Sequence, residues 1–183
     1  MLRAGRGERD ALRILVERHG ASVRRLAARV LGNAEDARDA AQDVFVSVFR
    51  AAPMYRPKAK FTTWLHRIAV NRCLDERASL RTRRRLLGDA AASSAGLPAD
   101  RGGVASASDA DPADRQIERR QRAEAAVAAF EALPVRQRTA VVLSRFEGLG
   151  YAEIAAAMGC SVGSVESLLA RAKSALADKL ADR

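Results

Sequence analysis

Apolar residues in the first half of the chain recur every three or four positions, the spacing of a helix with one buried face. One stripe predicts a helix from about residue 8 to residue 31, and it consists of Leu12, Leu15, Val16, Val23, Leu26 and Val30. Gly32 is placed to end that helix, and Asn33 to cap a second one that reaches about Ala51. A third helix is predicted from a cap at Thr62 to about Leu86. No segment alternates at period two for long, so the predicted fold class is all-α.

The second half of the chain predicts four more helices, at about 114–132, from Pro134 to before Gly148, at 151–158 and at 162–180. Ala155, Gly159 and Val165 stand where a helix-turn-helix needs a small residue, a residue that tolerates positive φ, and an apolar plug. Ser161 is then the predicted cap of the second helix of the motif. An αα-hairpin that only packs is the alternative interpretation.

Between these halves the composition changes. Residues 89–116 are rich in Ala, Ser, Gly and Asp and show no helical period, with 2 basic and 5 acidic residues. We therefore expect a flexible linker over 88–114, joining a helical domain at 1–87 to a second one at 115–183.

Charge narrows the class of partner. The chain has 32 Lys and Arg against 22 Asp and Glu, a formal net charge of +10, which favours a polyanion such as nucleic acid. The longest uncharged stretch has twelve residues and the N-terminus has no apolar core, so neither a membrane span nor a secretory signal is predicted. Two cysteines form no disulfide framework or ligand cluster. We expect a soluble, cytoplasmic protein with no metal and no cofactor.

Basic and aromatic residues are interleaved in the segment 45–85. Five of the eight aromatic residues fall there within twenty positions, and residues 51–88 hold 10 basic and 2 acidic groups. Rings that stack on unpaired bases and cations that hold the backbone are what single-stranded DNA requires. Some of these rings have a structural alternative: Phe45 and Phe49 share the apolar face of the second helix and are predicted to be core, and Phe61 is placed to pack on Leu65.

An acidic stripe lies on the second helix, opposite its apolar face. Asp39 and Asp43 lie beyond the first turn, where the helix dipole no longer accounts for them. Such a stripe on a basic protein fits a docking surface for a positively charged protein, although from composition alone an ordinary solvated face explains it better.

The leading residues of the last helix are expected to face a DNA major groove. Phosphate contacts would come from cations on either side of them, namely Arg136, Arg138, Arg171 and Lys173. Glu166 either accepts a hydrogen bond from a cytosine amino group or is a solvated surface charge.

These segments, in this order, resemble the sigma-70 family of bacterial transcription factors, specifically its short extracytoplasmic-function (ECF) group. NAEDARDAAQDVF over 33–45 and FTTWLHRIAVNRCLD over 61–75 are similar to the family's region 2. LPVRQR over 133–138, EGLGYAEIA over 147–155 and SVGSV over 161–165 are similar to its region 4.

The resemblance implies a non-enzymatic subunit that directs core RNA polymerase to promoters and helps to melt them. Asp39, Gln42 and Asp43 would face the clamp helices of the polymerase β′ subunit. Contacts to the −10 promoter element would come from Tyr55, Lys58, Lys60, Phe61, Thr62, Trp64, Arg67, Asn71 and Arg72. The second domain would touch the β flap and read the −35 element through Arg136, Arg138, Ser161, Val162, Gly163, Ser164, Glu166, Ser167, Arg171 and Lys173. An anti-sigma factor is a further implied partner.

Two other function classes remain as alternatives. A stand-alone helix-turn-helix regulator would bind duplex DNA tightly without polymerase, and the acidic stripe would then have no binding role. An enzyme is poorly supported, because His19 and His66 have no nucleophile or metal-ligand spacing near them and no phosphate-binding loop motif is present.

Overall fold

The computed structural model describes residues 1–6, 8–56, 60–87 and 113–181. Lys58 and nearly all of the predicted linker lie outside these residues. Eight α-helices and one 3₁₀ turn make up the described part, and it contains no strand. The helices are α1 (Leu2–Gly5), α2 (Arg9–Leu31), α3 (Ala34–Ala51), α4 (Phe61–Leu87), α5 (Ala113–Glu131), α6 (Val135–Arg145), α7 (Tyr151–Met158) and α8 (Val162–Ala181), with the 3₁₀ turn at Ala52–Met54. The all-α prediction is confirmed.

Helix boundaries follow the local chemistry that the sequence predicts, with one exception. The Asn33 side chain accepts a hydrogen bond of 2.9 Å from the backbone N–H of Glu35, and Gly32 ends α2 at φ 77°. Ser161 accepts from the backbone N–H of Ser164 at 3.2 Å, so both predicted caps are confirmed. Thr62 is not a cap, because α4 already begins at Phe61.

Helices α1 to α4 form an N-terminal bundle. Helix α2 packs along α3, and α3 packs along α4. The fully buried side chains at their contacts include Val23, Leu26, Val30, Val44, Val48 and Val70. Phe49 is an error of the sequence interpretation: it was predicted to be core, and it is 51% exposed. The buried residues of α3 are Ala37, Ala40, Ala41, Val44 and Val48, and Phe49 lies outside this face.

Helices α5 to α8 form a C-terminal bundle that contains the predicted helix-turn-helix. Gly159 adopts φ 61° between α7 and α8, whose axes meet at 100°. Ala155 is 6% exposed and Val165 is fully buried. These are the three positions that the motif requires, and each has the predicted role.

In the described part of the chain no single helix has the length and apolar character to cross a membrane, although α7 and α8 taken together as a bent pair do.

The two bundles pack against each other, which the sequence analysis did not predict. Helix α6 lies against α2, and α7 lies against α4. Buried residues of both bundles form one continuous apolar core, in which Leu26 and Val70 belong to the first bundle and Leu143 and Ile154 to the second. The packing positions the loop between α6 and α7 over α2 and α4.

Candidate nucleic-acid and protein interfaces

Three of the predicted DNA-binding rings meet at the start of α4. The ring centroids of Tyr55 and Trp64 are 5.0 Å apart, and those of Phe61 and Trp64 are 5.8 Å apart. All three side chains are partly exposed. The sequence missed a fourth member of this cluster, His19 of α2, whose ring packs edge-on against Phe61 at 5.3 Å. Burial, with the charges of Arg18 and His66, lowers the pKa of His19, which favours the neutral imidazole beside these rings.

Polar groups that suit a DNA backbone lie beside the aromatic cluster. Lys60, Trp64, Arg67 and Asn71 follow the three- and four-residue spacing of one helix face. The lysine, arginine and asparagine among them are exposed, as is Thr62. This face of α4 thus combines partly exposed rings with hydrogen-bond donors and positive charge.

Arg72 differs from the other predicted DNA contacts. Its guanidinium pairs with Asp43 of α3 at 2.5 Å and with Glu76 of α4 at 3.1 Å. A residue predicted to bind DNA and a residue predicted to bind protein are therefore paired with each other. The pair ties α3 to α4, and much of the charge of Arg72 is already neutralised.

Asp39 and Gln42 of the acidic stripe are exposed on α3. Beside them a groove of about 880 Å³ lies between α2 and α3. Half of its lining residues have apolar side chains, namely Leu12, Val16, Ala41, Phe45, Val46 and Phe49. The others are Gly20 and five polar or charged residues, Arg13, Glu17, Arg24, Arg38 and Gln42. The groove accounts for the exposure of Phe49, and it joins an apolar surface to the acidic one.

The start of α8 presents its side chains to solvent, as predicted. Ser161, Val162, Gly163, Ser164, Glu166 and Ser167 are all exposed. Arg136 of α6 and Arg171 of α8 line a shallow concavity of about 430 Å³ together with three of these serines. Two guanidinium groups thus line one depression, which suits a phosphate group, while the Ser167 hydroxyl donates to the carbonyl oxygen of Gly163. Lys173 is exposed on α8 outside the lining of this depression. Glu166 is exposed, as both of its interpretations require.

Arg138 does not join this surface and cannot contact DNA in this arrangement, contrary to the sequence-based expectation. It is 2% exposed and points toward the N-terminal bundle. Its guanidinium donates to the carbonyl oxygens of Val30 at 3.2 Å and Leu133 at 3.3 Å, and to that of Glu131. Val30 and Glu131 lie at the C-terminal ends of α2 and α5, where carbonyl groups lack helical partners. Arg138 therefore satisfies carbonyls at two helix ends, one in each bundle.

Cys73 and Cys160 are both free thiols, and Cys160 is partly exposed. Among the described residues no group of three or more His, Cys, Asp and Glu side chains is arranged to hold a metal ion. Cys73 is fully buried, and burial raises the pKa of its thiol to about 12.

Comparisons with known proteins identify two regions of one family in the chain. Residues 15–86 match the family model for sigma-70 region 2, and residues 123–176 match the model for sigma-70 region 4. The ECF RNA polymerase sigma factor SigE of Mycolicibacterium smegmatis is 40% identical over 91% of the chain, which spans 60% of that protein's length. The RNA polymerase sigma-H factor of Pseudomonas aeruginosa is 34% identical over 95% of the chain and 88% of that protein.

The fold is also shared with a solved structure, that of the sigma factor RpoE of Bartonella quintana in complex with the anti-sigma factor NepR. The TM-score is 0.66 at 22% identity, over 93% of this chain and 98% of that one. With a relative above 30% identity matched over most of both lengths, the chain belongs to the sigma-70 family, in the group of ECF RNA polymerase sigma factors.

Proposed function

We propose that this protein is an ECF sigma subunit that binds core RNA polymerase, directs it to promoters and helps to open the −10 element. The observation that supports it best is the cluster of Tyr55, Phe61 and Trp64, which is partly exposed beside the cations of α4. A protein that binds duplex DNA only through a helix-turn-helix has no need of such an aromatic cluster. RNA synthesis itself is the chemistry of the polymerase, and this chain contributes recognition.

The aromatic cluster would receive a base that leaves the duplex. Stacking on an aromatic ring is worth about 1–3 kcal/mol per base, comparable to the few kcal/mol that unstacking a base costs. Lys60, Arg67 and Asn71 would hold the backbone of the same strand, with Thr62 at the start of the helix. Lys58 remains a proposed contact on sequence grounds alone. Arg72 contributes less than its neighbours, because its charge is shared with Asp43 and Glu76.

Core polymerase would dock on α3. Asp39 and Gln42 offer exposed polar groups to the basic β′ clamp helices, and the adjoining groove offers apolar surface to the same helices. Asp43, half-exposed and paired with Arg72, lies at the edge of this surface. Charge would direct the approach and apolar burial would supply much of the affinity.

The C-terminal bundle would read the −35 element with the start of α8 in the major groove. Arg136 and Arg171 are placed to bind phosphate on one side of this helix, with Lys173 farther along it. Ser164 and Ser167, which are exposed, would face the bases, and the same bundle would touch the β flap.

An anti-sigma factor is a further proposed partner. The solved sigma factor whose fold this chain shares was determined with one bound. A sigma subunit that binds RNA polymerase would act in the cytoplasm. The stand-alone regulator is not favoured, because both sigma-70 regions are present in order along the chain.

Reconstituted transcription tests this function. Core polymerase from a related bacterium, supplied with the purified full chain and a library of genomic promoter fragments, is expected to start RNA at a discrete set of templates that core polymerase alone does not use. Run-off products sequenced at their 5′ ends would measure this. An unchanged set of start sites would overturn the proposal.

Removing two rings of the aromatic cluster, Phe61 and Trp64, distinguishes an effect on melting from an effect on binding. The double variant Phe61→Ala, Trp64→Ala is expected to reduce open complexes by a factor on the order of ten to a hundred, since the stacking of one unpaired base, worth about 1–3 kcal/mol, is lost. The closed complex should be retained. Permanganate reactivity of unpaired thymines measures the open complex, and gel shift at low temperature measures the closed complex.

The conservative variant Trp64→Phe is the matched control, because it keeps a ring at the same place. It should melt the promoter nearly as well as the unaltered protein. Equal loss of both complexes in the double variant, together with a fall in helix content, would mean that these rings are needed for packing and not for bases.

A further inference from the structure

Glu147, in the loop between α6 and α7, is held by two helices of the opposite bundle. Its Oε2 atom lies 3.3 Å from Nε2 of His66 on α4 and accepts a hydrogen bond of 3.2 Å from the hydroxyl of Ser22 on α2. The Glu147 and His66 side chains are only 11% and 12% exposed. A buried carboxylate of one bundle thus has two hydrogen-bonding partners that belong to the other bundle.

The neighbouring residue strengthens the same contact. The guanidinium of Arg29 on α2 lies 4.2 Å from the ring centroid of Phe146, within the range of a cation–π interaction. Both residues of the Phe146-Glu147 pair therefore meet the N-terminal bundle through polar or charged groups. These polar contacts, like the part of the apolar core that the two bundles share, are lost when the bundles separate.

The surroundings of Glu147 favour the charged form of its carboxyl group over the protonated form. Burial by itself would raise the pKa of this carboxyl group, yet its bond to His66, the charge of His66, the bond from Ser22 and the charge of Arg29 hold the pKa below its ordinary value. The groups that face Glu147 from α2 and α4 therefore lower its pKa by more than burial raises it. The carboxylate is ionised at neutral pH in the packed arrangement.

The packed arrangement conflicts with the proposed function on grounds of size. A compact chain of 183 residues has a radius of gyration of about 16 Å and is roughly 40 Å across. Promoter elements named −10 and −35 are separated by about 25 base pairs, or roughly 85 Å of duplex at 3.4 Å per base pair. One bundle cannot hold each element while the two stay packed, so they must separate.

We propose that Glu147, with His66 and Ser22, is an interdomain latch that holds the free protein in a closed form unable to span a promoter. This inference builds on the proposed function. The latch would set the fraction of open molecules, and polymerase and DNA would bind that fraction and pull the equilibrium toward it. Glu147 thereby has a regulatory role distinct from that of the DNA-facing residues of the same bundle.

The test measures the distance between the bundles in the full chain, without polymerase. Dyes at Glu35→Cys on α3 and Asp178→Cys on α8, both exposed sites, report separation by single-molecule energy transfer in a background where Cys73 and Cys160 are replaced by Ala and Ser. Glu147→Ala is expected to raise the open fraction about tenfold, since one hydrogen-bonded charge is worth about 1.5–3 kcal/mol. Glu124→Ala, which removes an exposed glutamate of the same bundle, should leave it unchanged.

Ser22→Ala provides a second, milder variant in case Glu147→Ala disturbs folding. It should open the chain in the same direction by a smaller factor, and combining it with Glu147→Ala should add nothing, because both remove the same contact. A distance distribution that is identical in Glu147→Ala, Ser22→Ala and the unaltered protein would overturn the latch.

A parallel assay keeps the latch distinct from the sigma function. In the reconstituted system, Glu147→Ala should form promoter complexes at a lower protein concentration than Glu124→Ala. If Glu147→Ala opens the free chain yet the protein never redirects polymerase, the latch stands and the proposed function fails. If polymerase is redirected and the energy transfer does not change, the function stands and the latch is wrong.

Discussion

Asp39→Arg is expected to weaken binding to core RNA polymerase by a factor on the order of a hundred to a thousand. The substitution places a cation where a basic clamp helix would approach, and like charges across an interface cost several kcal/mol. Asp39 is exposed near the middle of α3, on the same helix as the apolar groove. Helix content and thermal stability should not change. Fluorescence anisotropy of labelled protein titrated with core polymerase measures the effect.

Asp39 gives a clearer result than its neighbour Asp43. Reversing Asp43 would bring a second guanidinium against Arg72 and loosen the contact of α3 with α4, so that lost binding and lost stability would be mixed. Asp178→Arg on α8 is the matched control, an exposed aspartate reversed in the other bundle. Affinity for polymerase that is the same in Asp39→Arg and Asp178→Arg would show that the acidic stripe is only a solvated face.

The features that the sequence predicted most accurately are those that depend on a few neighbouring residues. Asn33 and Ser161 cap the helices they were expected to cap, because a side-chain oxygen just before a helix has few other partners for its hydrogen bonds. Gly159 takes the positive φ of the helix-turn-helix for an equally local reason. Helix periodicity also identified Leu26 and Val30 as buried.

What the sequence could not predict depends on which surfaces meet. A helical stripe shows that a face is apolar, and it does not show whether a second helix or an open groove lies over it. Phe49 was assigned to the core and lines the groove between α2 and α3. His19 lies about forty residues from Phe61 in the chain, and only the packing of α2 against the start of α4 joins the two rings.

The contact between the bundles was missed for the same reason. Leu26 and Val30 lie in a core that continues into α6 and α7. The apolar stripe of α2 shows that this face is buried, but it does not show that helices of the other bundle help to cover it. Arg138 is the sharpest case. In sequence it is one of two arginines beside a helix-turn-helix, and its spacing from Arg136 gives them different faces of α6. Only the packing shows that the face with Arg136 is exposed to solvent and that the face with Arg138 lies against the opposite bundle.

Arg138→Ala is accordingly expected to lower the free energy of unfolding by about 3 kcal/mol, because it leaves carbonyl groups of Val30, Glu131 and Leu133 without their buried donor. Arg138→Lys should restore only part of this loss, since a single ammonium cannot reproduce the fork of the guanidinium. Urea denaturation followed by circular dichroism measures the stability of both variants.

Arg136→Ala is the matched control two residues away. Its side chain is exposed, so the free energy of unfolding should change by less than about 0.5 kcal/mol while affinity for −35 duplex falls. The opposite pattern, with Arg138→Ala stable and defective in DNA binding, would mean that the bundles are apart in solution and that this arginine faces phosphate after all.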